Sequence, residues 1–164
     1  MPTFAILSGL PGSGKSTAAR LLRGDRGFFV VSADGLRLAF NAGVYPRNAG
    51  GEYDILEPVV TEAARLAVRR LLEAGRDVAI DATHLTRERR SGWREFARTV
   101  DPRVRVEIHW CTGRWDSFGR WATERGYAED EYWKLRRKME DCVEEPHADE
   151  ADALFVHDPS AAPA

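Results

Sequence analysis

The sequence has little of what marks a metal-stabilised or nucleic-acid-coating protein. Its 164 residues include only two cysteines, Cys111 and Cys142. They form no C-x-x-C pair and no histidine stands at ligand spacing, so two reduced intracellular thiols and no structural metal site are predicted. The net charge of -2 argues against non-specific binding of nucleic acid, which needs clustered lysine and arginine, although a local basic patch is compatible with this balance.

Long apolar runs are also absent. No stretch approaches the roughly 20 residues that span a bilayer, and no basic segment followed by a cleavable apolar stretch stands at the N-terminus. The sequence therefore predicts no membrane partner and a cytoplasmic location. Its length and its hydrophobic content of 43% predict one globular domain over residues 1–158, followed by a frayed tail at residues 159–164.

What is present begins with a glycine-rich segment after the apolar run Phe4–Leu7. Residues 9–17 read Gly-Leu-Pro-Gly-Ser-Gly-Lys-Ser-Thr, a complete G-x-x-x-x-G-K-S phosphate loop. Its glycines permit backbone angles that let successive N–H groups point at one anion. The first helix is expected to begin at Lys15 and to add its positive N-terminal end.

This loop predicts a nucleotide-binding site with ATP and Mg²⁺ as cofactors. Lys15 is expected to reach the β- and γ-phosphates, and the Ser16 hydroxyl is expected to ligate Mg²⁺. The other ligands expected from the loop are Gly12, Ser13, Gly14 and Thr17.

Strand-like and helix-like segments alternate along the rest of the chain. Strands are predicted at 3–8, 28–32, 77–81, 104–110 and 153–156, and the main helices at 15–24, 34–42, 55–74, 115–125 and 129–144. Gly24 is expected to end the first helix, Thr86 to cap a basic helix, and residues 43–54 to form a mobile loop. The pattern predicts an α/β fold: a three-layer sandwich of the P-loop NTPase type with a mainly parallel central sheet and a helical lid.

The ends of the first three strands are expected to meet at one edge of the sheet, where they bring the phosphate loop to Asp34 and Asp81. Phosphoryl transfer to an alcohol needs a group that accepts a hydrogen bond from the attacking hydroxyl and cations over the migrating phosphoryl. Asp34 can be the first of these, and Arg37 could orient the acceptor or neutralise its phosphate. The alternative is that Asp34 only caps a helix and Arg37 is a solvated charge.

Other candidates have two interpretations each. Asp81 could hold Arg37 or a Mg²⁺-bound water, or could be a turn former at a strand end. His84 could contact substrate or be a hydrogen-bonded structural histidine. Arg120 and Arg125 could form a hinged lid at Gly126, and a solvated helix face explains either one alone. The basic helix, with Arg87, Arg89 and Arg90, could touch a polyanion or be soluble surface.

Four motifs, taken in order, resemble one family over about residues 3 to 140. They are Gly9–Thr17, Gly27–Arg37 (Gly-Phe-Phe-Val-Val-Ser-Ala-Asp-Gly-Leu-Arg), Asp81–Arg90 (Asp-Ala-Thr-His-Leu-Thr-Arg-Glu-Arg-Arg) and Glu124-Arg125-Gly126. They resemble the 5′-kinase domain of bacteriophage and bacterial polynucleotide kinases. The resemblance implies an enzyme of nucleic acid repair that transfers the γ-phosphoryl of ATP to the 5′-hydroxyl of DNA or RNA ends.

The same resemblance implies roles for particular residues. Asp34 would be the general base, Arg37 would engage the acceptor's phosphate, and Arg125 would clamp the triphosphate with Lys15 and Ser16. The third motif would place Asp81, Thr83 and His84 at the acceptor. The chain departs from the family where Ala82 replaces an aspartate, where His84 replaces the usual asparagine, and where the spacing from Arg120 to Arg125 is one residue longer.

Two other functions stay open at this point. A kinase of a small-molecule hydroxyl, similar to zeta toxins or chloramphenicol phosphotransferases, would share the loop and the aspartate after the second strand, and the acidic net charge favours it slightly. A nucleotide-controlled switch or motor is disfavoured, because the chain has no N-K-x-D guanine motif and Asp81 is followed by Ala82 rather than glutamate.

Overall fold

The computed structural model describes residues 1–47, 51–113 and 116–158, without the side chains of residues 116–118. The predicted tail at 159–164, residues 48–50 of the predicted loop and residue 115 of a predicted helix lie outside the described residues. The strands are β1 (Thr3–Ser8), β2 (Phe29–Ser32), β3 (Val78–Asp81), β4 (Arg105–Cys111) and β5 (Ala153–His157). The helices are α1 (Lys15–Arg26), α2 (Ala33–Phe40), α3 (Glu52–Glu73), α4 (Arg87–Val100), α5 (Asp116–Glu124) and α6 (Glu129–Glu140), with a short 3₁₀ helix at Ala148–Glu150.

The five strands form one sheet in the order β2-β3-β1-β4-β5, and every neighbouring pair is parallel. Leu7 and Ser32 both pair with Asp81, so the first three strands end at the same level. The chain therefore leaves β1, β2 and β3 side by side at one edge. This confirms the predicted α/β fold and its parallel sheet.

Helices cover both faces of the sheet because side chains alternate along each buried strand. Phe4 and Ile6 point to the face covered by α3 and α4, where they pack with Val68 and Ala97. Ala5 and Leu7 point to the other face and pack with Ala18, Ala19 and Leu22 of α1. The result is three layers. Among the described residues, no helix is both long and apolar enough to cross a bilayer.

Several predicted helix ends are wrong. Helix α6 ends at Glu140 rather than at residue 144, and helix α2 ends at Phe40 rather than at residue 42. Helix α1 continues past Gly24 to Arg26 and is closed by Gly27 in the left-handed conformation, with φ of 72°. Helix α2 is capped by Ser32, whose Oγ accepts a hydrogen bond from the Gly35 N–H, so Asp34 is not the cap. Helix α3 begins at Glu52 rather than residue 55, which puts Pro58 in the second turn instead of the first.

The basic helix α4 is largely paired with the acidic segment that precedes β5. Its Thr86 cap is confirmed, because Thr86 Oγ1 accepts from the Arg89 N–H at 3.3 Å. Arg87 pairs with Asp149 and Arg98 with Asp152. Arg90 is only 1% exposed, so neither predicted interpretation, contact with a polyanion or soluble surface, holds for it.

Candidate active site

The phosphate loop joins β1 to α1 and packs tightly against two neighbouring strand ends. Gly9 has a φ of 145°, and its N–H donates to the Thr83 carbonyl at 2.9 Å. A Cβ at this position would lie 2.5 Å from the Cys111 carbonyl oxygen and 2.6 Å from Ser13 Oγ. Only glycine fits here, because both the space and the backbone angle exclude a side chain.

Within the loop, polar groups are buried and turned inward. Lys15 is 9% exposed, and its Nζ donates to the Leu10 carbonyl at 2.7 Å. Burial lowers the pKa of Lys15, while the nearby Asp81 carboxylate opposes this shift. Ser13 Oγ is buried and has no hydrogen-bond partner among the described residues. An unsatisfied buried hydroxyl within a ring of glycines fits a loop that closes on phosphate oxygens.

Asp81 lies at the end of β3 and faces the start of α1. Its Oδ2 accepts a hydrogen bond from Ser16 Oγ at 3.1 Å. Burial raises the pKa of Asp81, and Lys15 and the Ser16 hydroxyl act in the opposite direction. Of its two predicted partners, Arg37 donates instead to Asp34 and Glu57. A hydroxyl beside a carboxylate is the hard oxygen environment that suits a Mg²⁺ ion or its bound water.

Asp34 lies in the first turn of α2 and receives three hydrogen bonds from three elements. Arg37 Nη1 donates to its Oδ1 at 2.7 Å, and the Tyr45 hydroxyl donates to the same oxygen at 3.2 Å. Arg125 Nη2 donates to Oδ2 at 3.0 Å. The Asp34 side chain keeps 36% of its surface exposed. It is therefore fixed in orientation and still reachable from solvent.

Arg37 is held by a second carboxylate that the sequence did not point to. Its Nε and Nη2 donate to Glu57 Oε2 and Oε1 at 3.0 and 2.8 Å, and its guanidinium lies 5.3 Å from the Tyr53 ring centroid. Burial is the largest single effect and acts to lower the pKa of Arg37, but the hydrogen bonds that Arg37 donates to Glu57, together with the electrostatic effects of Tyr53, Tyr45 and Glu57, outweigh it and raise the pKa above its ordinary value. Glu57 is one of several acids on α3, and no local pattern distinguishes it.

The predicted lid is the α5–α6 pair, joined through Arg125 and Gly126. The Arg125 guanidinium lies 4.6 Å from the Trp121 ring centroid and 5.0 Å from that of Tyr45. Its Nε is buried and has no partner within the described part of the chain. Arg120, the other predicted lid arginine, is exposed on α5. Of the two predicted lid arginines, Arg125 thus contacts Asp34, whereas Arg120 lies exposed on α5.

The third motif connects to the loop mainly through its backbone. His84 has a φ of 40°, its Nδ1 donates to the Leu7 carbonyl at 2.7 Å, and its own carbonyl accepts from Ser8 Oγ. Burial lowers the pKa of His84 to about 4. The ring lies in the interior, 6.1 Å from that of Trp93. A contact of Thr83 or His84 with an acceptor stays a prediction.

The buried imidazole predicts a loss of stability in mild acid. As the pH falls below 6.5, the unfolded chain takes up a proton at residue 84 that the folded protein accepts only near its pKa of about 4. We expect His84→Asn, which tolerates positive φ, to remove about 2 kcal/mol of the fall in unfolding free energy between pH 7 and pH 5. Urea denaturation of both proteins at these pH values measures it, and equal falls would contradict it.

Comparisons with known proteins fit this geometry. The model of a family described as AAA domain matches residues 5–141. No curated protein matches the chain. Among solved structures, a putative kinase from Chloroflexus aurantiacus J-10-fl has a TM-score of 0.75 at 13% identity, covering 98% of this chain and 86% of that one. A sugar kinase from Janibacter sp. HTCC2649 has a TM-score of 0.59 at 17% identity, covering 96% and 86%.

A third similar structure is the Pnkp1/Rnl/Hen1 RNA repair complex. It matches with a TM-score of 0.61 at 21% identity, over 86% of this chain and 45% of the matched chain. At these identities the likenesses show the fold alone, which is that of P-loop kinases. One of these structures is named a sugar kinase and another belongs to an RNA repair complex, so the acceptor of this chain is a separate question.

Proposed function

Because the chain belongs to the AAA domain family, whose model spans residues 5–141, we propose that it is an ATP-dependent phosphotransferase acting on an alcohol, namely the 5′-hydroxyl of a DNA or RNA end. The observation that carries the proposal is the convergence at one sheet edge of the phosphate loop, the Ser16–Asp81 pair and the Asp34 carboxylate. A protein that only held a nucleotide would not need Asp34 to be oriented by three donors from three elements.

The proposed reaction assigns a task to each of these groups. The Gly12–Thr17 backbone and Lys15 hold the triphosphate, and Asp34 accepts the proton of the attacking hydroxyl. The hydroxyl oxygen forms a bond to the γ-phosphorus while the bond from that phosphorus to the β,γ-bridging oxygen breaks and ADP leaves. A Mg²⁺ ion held by Ser16, with Asp81 behind it, would neutralise charge on the β- and γ-oxygens. Arg125, with Arg120 as a second lid arginine, supplies positive charge from the lid.

Two observations support a phosphate-bearing acceptor. The four ordered motifs resemble those of polynucleotide 5′-kinases. In addition, the exposed Arg89 lies close enough to Tyr53 for its charge to lower the pKa of that phenol, against the larger effect of burial. Arg37 and Arg89 thus give the acceptor side two cations, with Asp81, Thr83 and His84 as further candidate contacts.

One observation favours a second candidate, a kinase of an uncharged small molecule such as a sugar. Glu57 accepts hydrogen bonds from Arg37 Nε and Nη2, and its negative charge offsets the positive charge of that guanidinium. A phosphate on the acceptor would have to share Arg37 with this carboxylate. An acceptor with several hydroxyls would instead find two carboxylates, on Asp34 and Glu57, that accept hydrogen bonds.

A labelled-phosphate assay separates these functions. ATP labelled at the γ-phosphate is incubated with Mg²⁺ and with oligonucleotides ending in a 5′-hydroxyl, the same oligonucleotides ending in a 5′-phosphate, or sugars and nucleosides. We expect label only on the 5′-hydroxyl oligonucleotides. Label on a small alcohol instead would establish the second candidate, and nucleotide binding without any transfer would indicate a nucleotide-controlled binding protein.

Arg37→Ala tests the acceptor assignment more finely. We expect it to raise KM for a 5′-hydroxyl oligonucleotide about tenfold or more, the size of one charge-assisted hydrogen bond to a phosphate of that acceptor, with KM for ATP within twofold of the wild type. Arg70→Ala, which removes an exposed arginine paired with Glu73 on α3, is the control. Loss of ATP binding in Arg37→Ala would show that Arg37 belongs to the nucleotide side.

A further inference from the structure

The segment between α2 and α3 touches the lid at two places. The Tyr45 ring lies under the Arg125 guanidinium and packs edge-on against Trp121, with ring centroids 6.2 Å apart. Two residues further on, the Arg47 guanidinium occupies the place where a Cβ at Gly126 would collide with it. The segment between α2 and α3 is therefore in direct contact with the predicted lid, close to Asp34.

Tyr45 contributes differently to the two oxygens of Asp34. Its hydroxyl and Arg37 Nη1 both donate to Oδ1, so that oxygen has two donors. Burial raises the pKa of Tyr45, which keeps its hydroxyl protonated as a donor. Arg125 Nη2 is the donor that lies on Oδ2, at 3.0 Å. Oδ1 is thus held by Arg37 and Tyr45, which both precede α3 in the chain, whereas the donor to Oδ2 is Arg125 of the predicted lid.

We propose that Tyr45 is a positioning residue: its hydroxyl fixes Oδ1 of Asp34, and its ring holds Arg125 over Oδ2 until a triphosphate draws Arg125 away. This rests on the proposed function. The oxygen uncovered by the departure of Arg125 is the one that accepts the proton of the acceptor hydroxyl. Asp34 then becomes usable only after the nucleotide is in place.

The contacts of Arg125 suit such a movement. Apart from the hydrogen bonds of Nη2 to Asp34 and of Nη1 to the Trp121 carbonyl at 3.4 Å, the guanidinium rests on the faces of Tyr45 and Trp121, which impose no fixed hydrogen-bond geometry. Its buried Nε has no partner within the described residues, and a phosphate oxygen could satisfy it. A triphosphate also carries several negative charges against the single charge of Asp34, which favours transfer of the guanidinium to the nucleotide.

The hydroxyl is tested by Tyr45→Phe, which keeps the ring. We expect kcat to fall about tenfold, as for the loss of one hydrogen bond to a charged group, with KM for ATP unchanged. The control is Tyr132→Phe, since the Tyr132 hydroxyl accepts a hydrogen bond from Arg136 on α6. Thermal unfolding of the variants excludes a change in folding. Wild-type kcat in Tyr45→Phe, or an effect on KM for ATP alone, would overturn the proposal.

The ring is tested by fluorescence with ATP alone, without any acceptor. Arg125 lies on Trp121, so its departure should change the emission of that indole, which is isolated by comparison with Trp121→Phe. We expect ATP to change this emission in the wild type. We expect Tyr45→Leu to reduce the change by at least half, because Arg125 then no longer rests on an aromatic ring at position 45. No change in the wild type, or the same change in Tyr45→Leu, would overturn the proposal.

The two arms also separate this inference from the proposed function. If the wild type transfers phosphate to no acceptor, the kinase assignment fails, and the fluorescence arm still decides whether Tyr45 controls Arg125. If the wild type is active and Asp34→Asn is inactive while both Tyr45 variants behave as the wild type, the proposed function stands and the role of Tyr45 is wrong.

Discussion

Replacing Asp34 by asparagine is expected to reduce the rate of phosphoryl transfer by about a thousandfold, the scale of general base catalysis, with ATP affinity within twofold of the wild type. Asparagine has nearly the size of aspartate, and its amide oxygen can still accept from Arg37, Tyr45 or Arg125. It cannot take up the proton of the acceptor. The loss should therefore appear in kcat with little change in nucleotide binding, since only an interaction of the transition state has been removed.

The measurement combines a transfer assay with equilibrium titration of a nucleotide. Asp25→Asn, an exposed carboxylate on α1, makes the same chemical change away from the cleft and should leave both values at the wild-type level. Unchanged turnover in Asp34→Asn would remove Asp34 from the mechanism. A large loss of ATP affinity would show that the charge of Asp34 serves to position Arg125 or Lys15 rather than to accept the proton of the acceptor.

The part of the site that the sequence predicted is the part fixed by local chain geometry. The phosphate loop is a contiguous motif, and Asp34 and Asp81 directly follow or end apolar strands that a parallel sheet brings to one edge. That edge could be predicted because Leu7, Ser32 and Asp81 stand at comparable positions in their strands. The roles assigned to these residues in transfer stay predictions.

The residues that the sequence did not reveal are joined across long separations. Glu57 is 20 residues from Arg37, and Glu150 is 60 residues from Arg90. Neither acid stands out among its charged neighbours in the sequence. Which acid meets the arginine depends on where the packed helices place each side chain. The predicted cap of α2 is wrong for a local reason: Ser32 and Asp34 are both good capping residues, and the end of β2 at Ser32 decides between them.

The predicted start of α3 is too late, because the apolar residues that recur along this helix begin only at residue 55. The preceding turn contains Glu52 and Asp54, which suit the positive end of a helix without adding an apolar signal. With the helix beginning at Glu52, the missing N–H of Pro58 leaves the carbonyl of Asp54 without its usual intrahelical donor.

Replacing Arg90 by methionine is expected to lower the free energy of unfolding by about 3–5 kcal/mol, the cost of breaking a buried ion pair on one side. Arg90 Nε and Nη2 donate to the two carboxylate oxygens of Glu150 at 2.8 and 3.1 Å, and both side chains are at most 1% exposed. Arg90 Nη1 donates to the carbonyls of His84, Leu85 and Glu144. The variant would leave a buried carboxylate and these carbonyls without a donor.

The loss is measured by urea denaturation against Arg98→Met on the same helix. Arg98 pairs with Asp152 at the surface, and an exposed pair is worth about 0–1 kcal/mol. Because 3–5 kcal/mol is a large share of a domain's stability, Glu150→Gln, which keeps an acceptor for Arg90, provides a milder second variant. Equal stability of Arg90→Met and Arg98→Met would contradict the role of Arg90. If the role holds, the turn after β3 loosens as well, since Arg90 holds the carbonyl of His84, whose ring donates to Leu7 beside the phosphate loop.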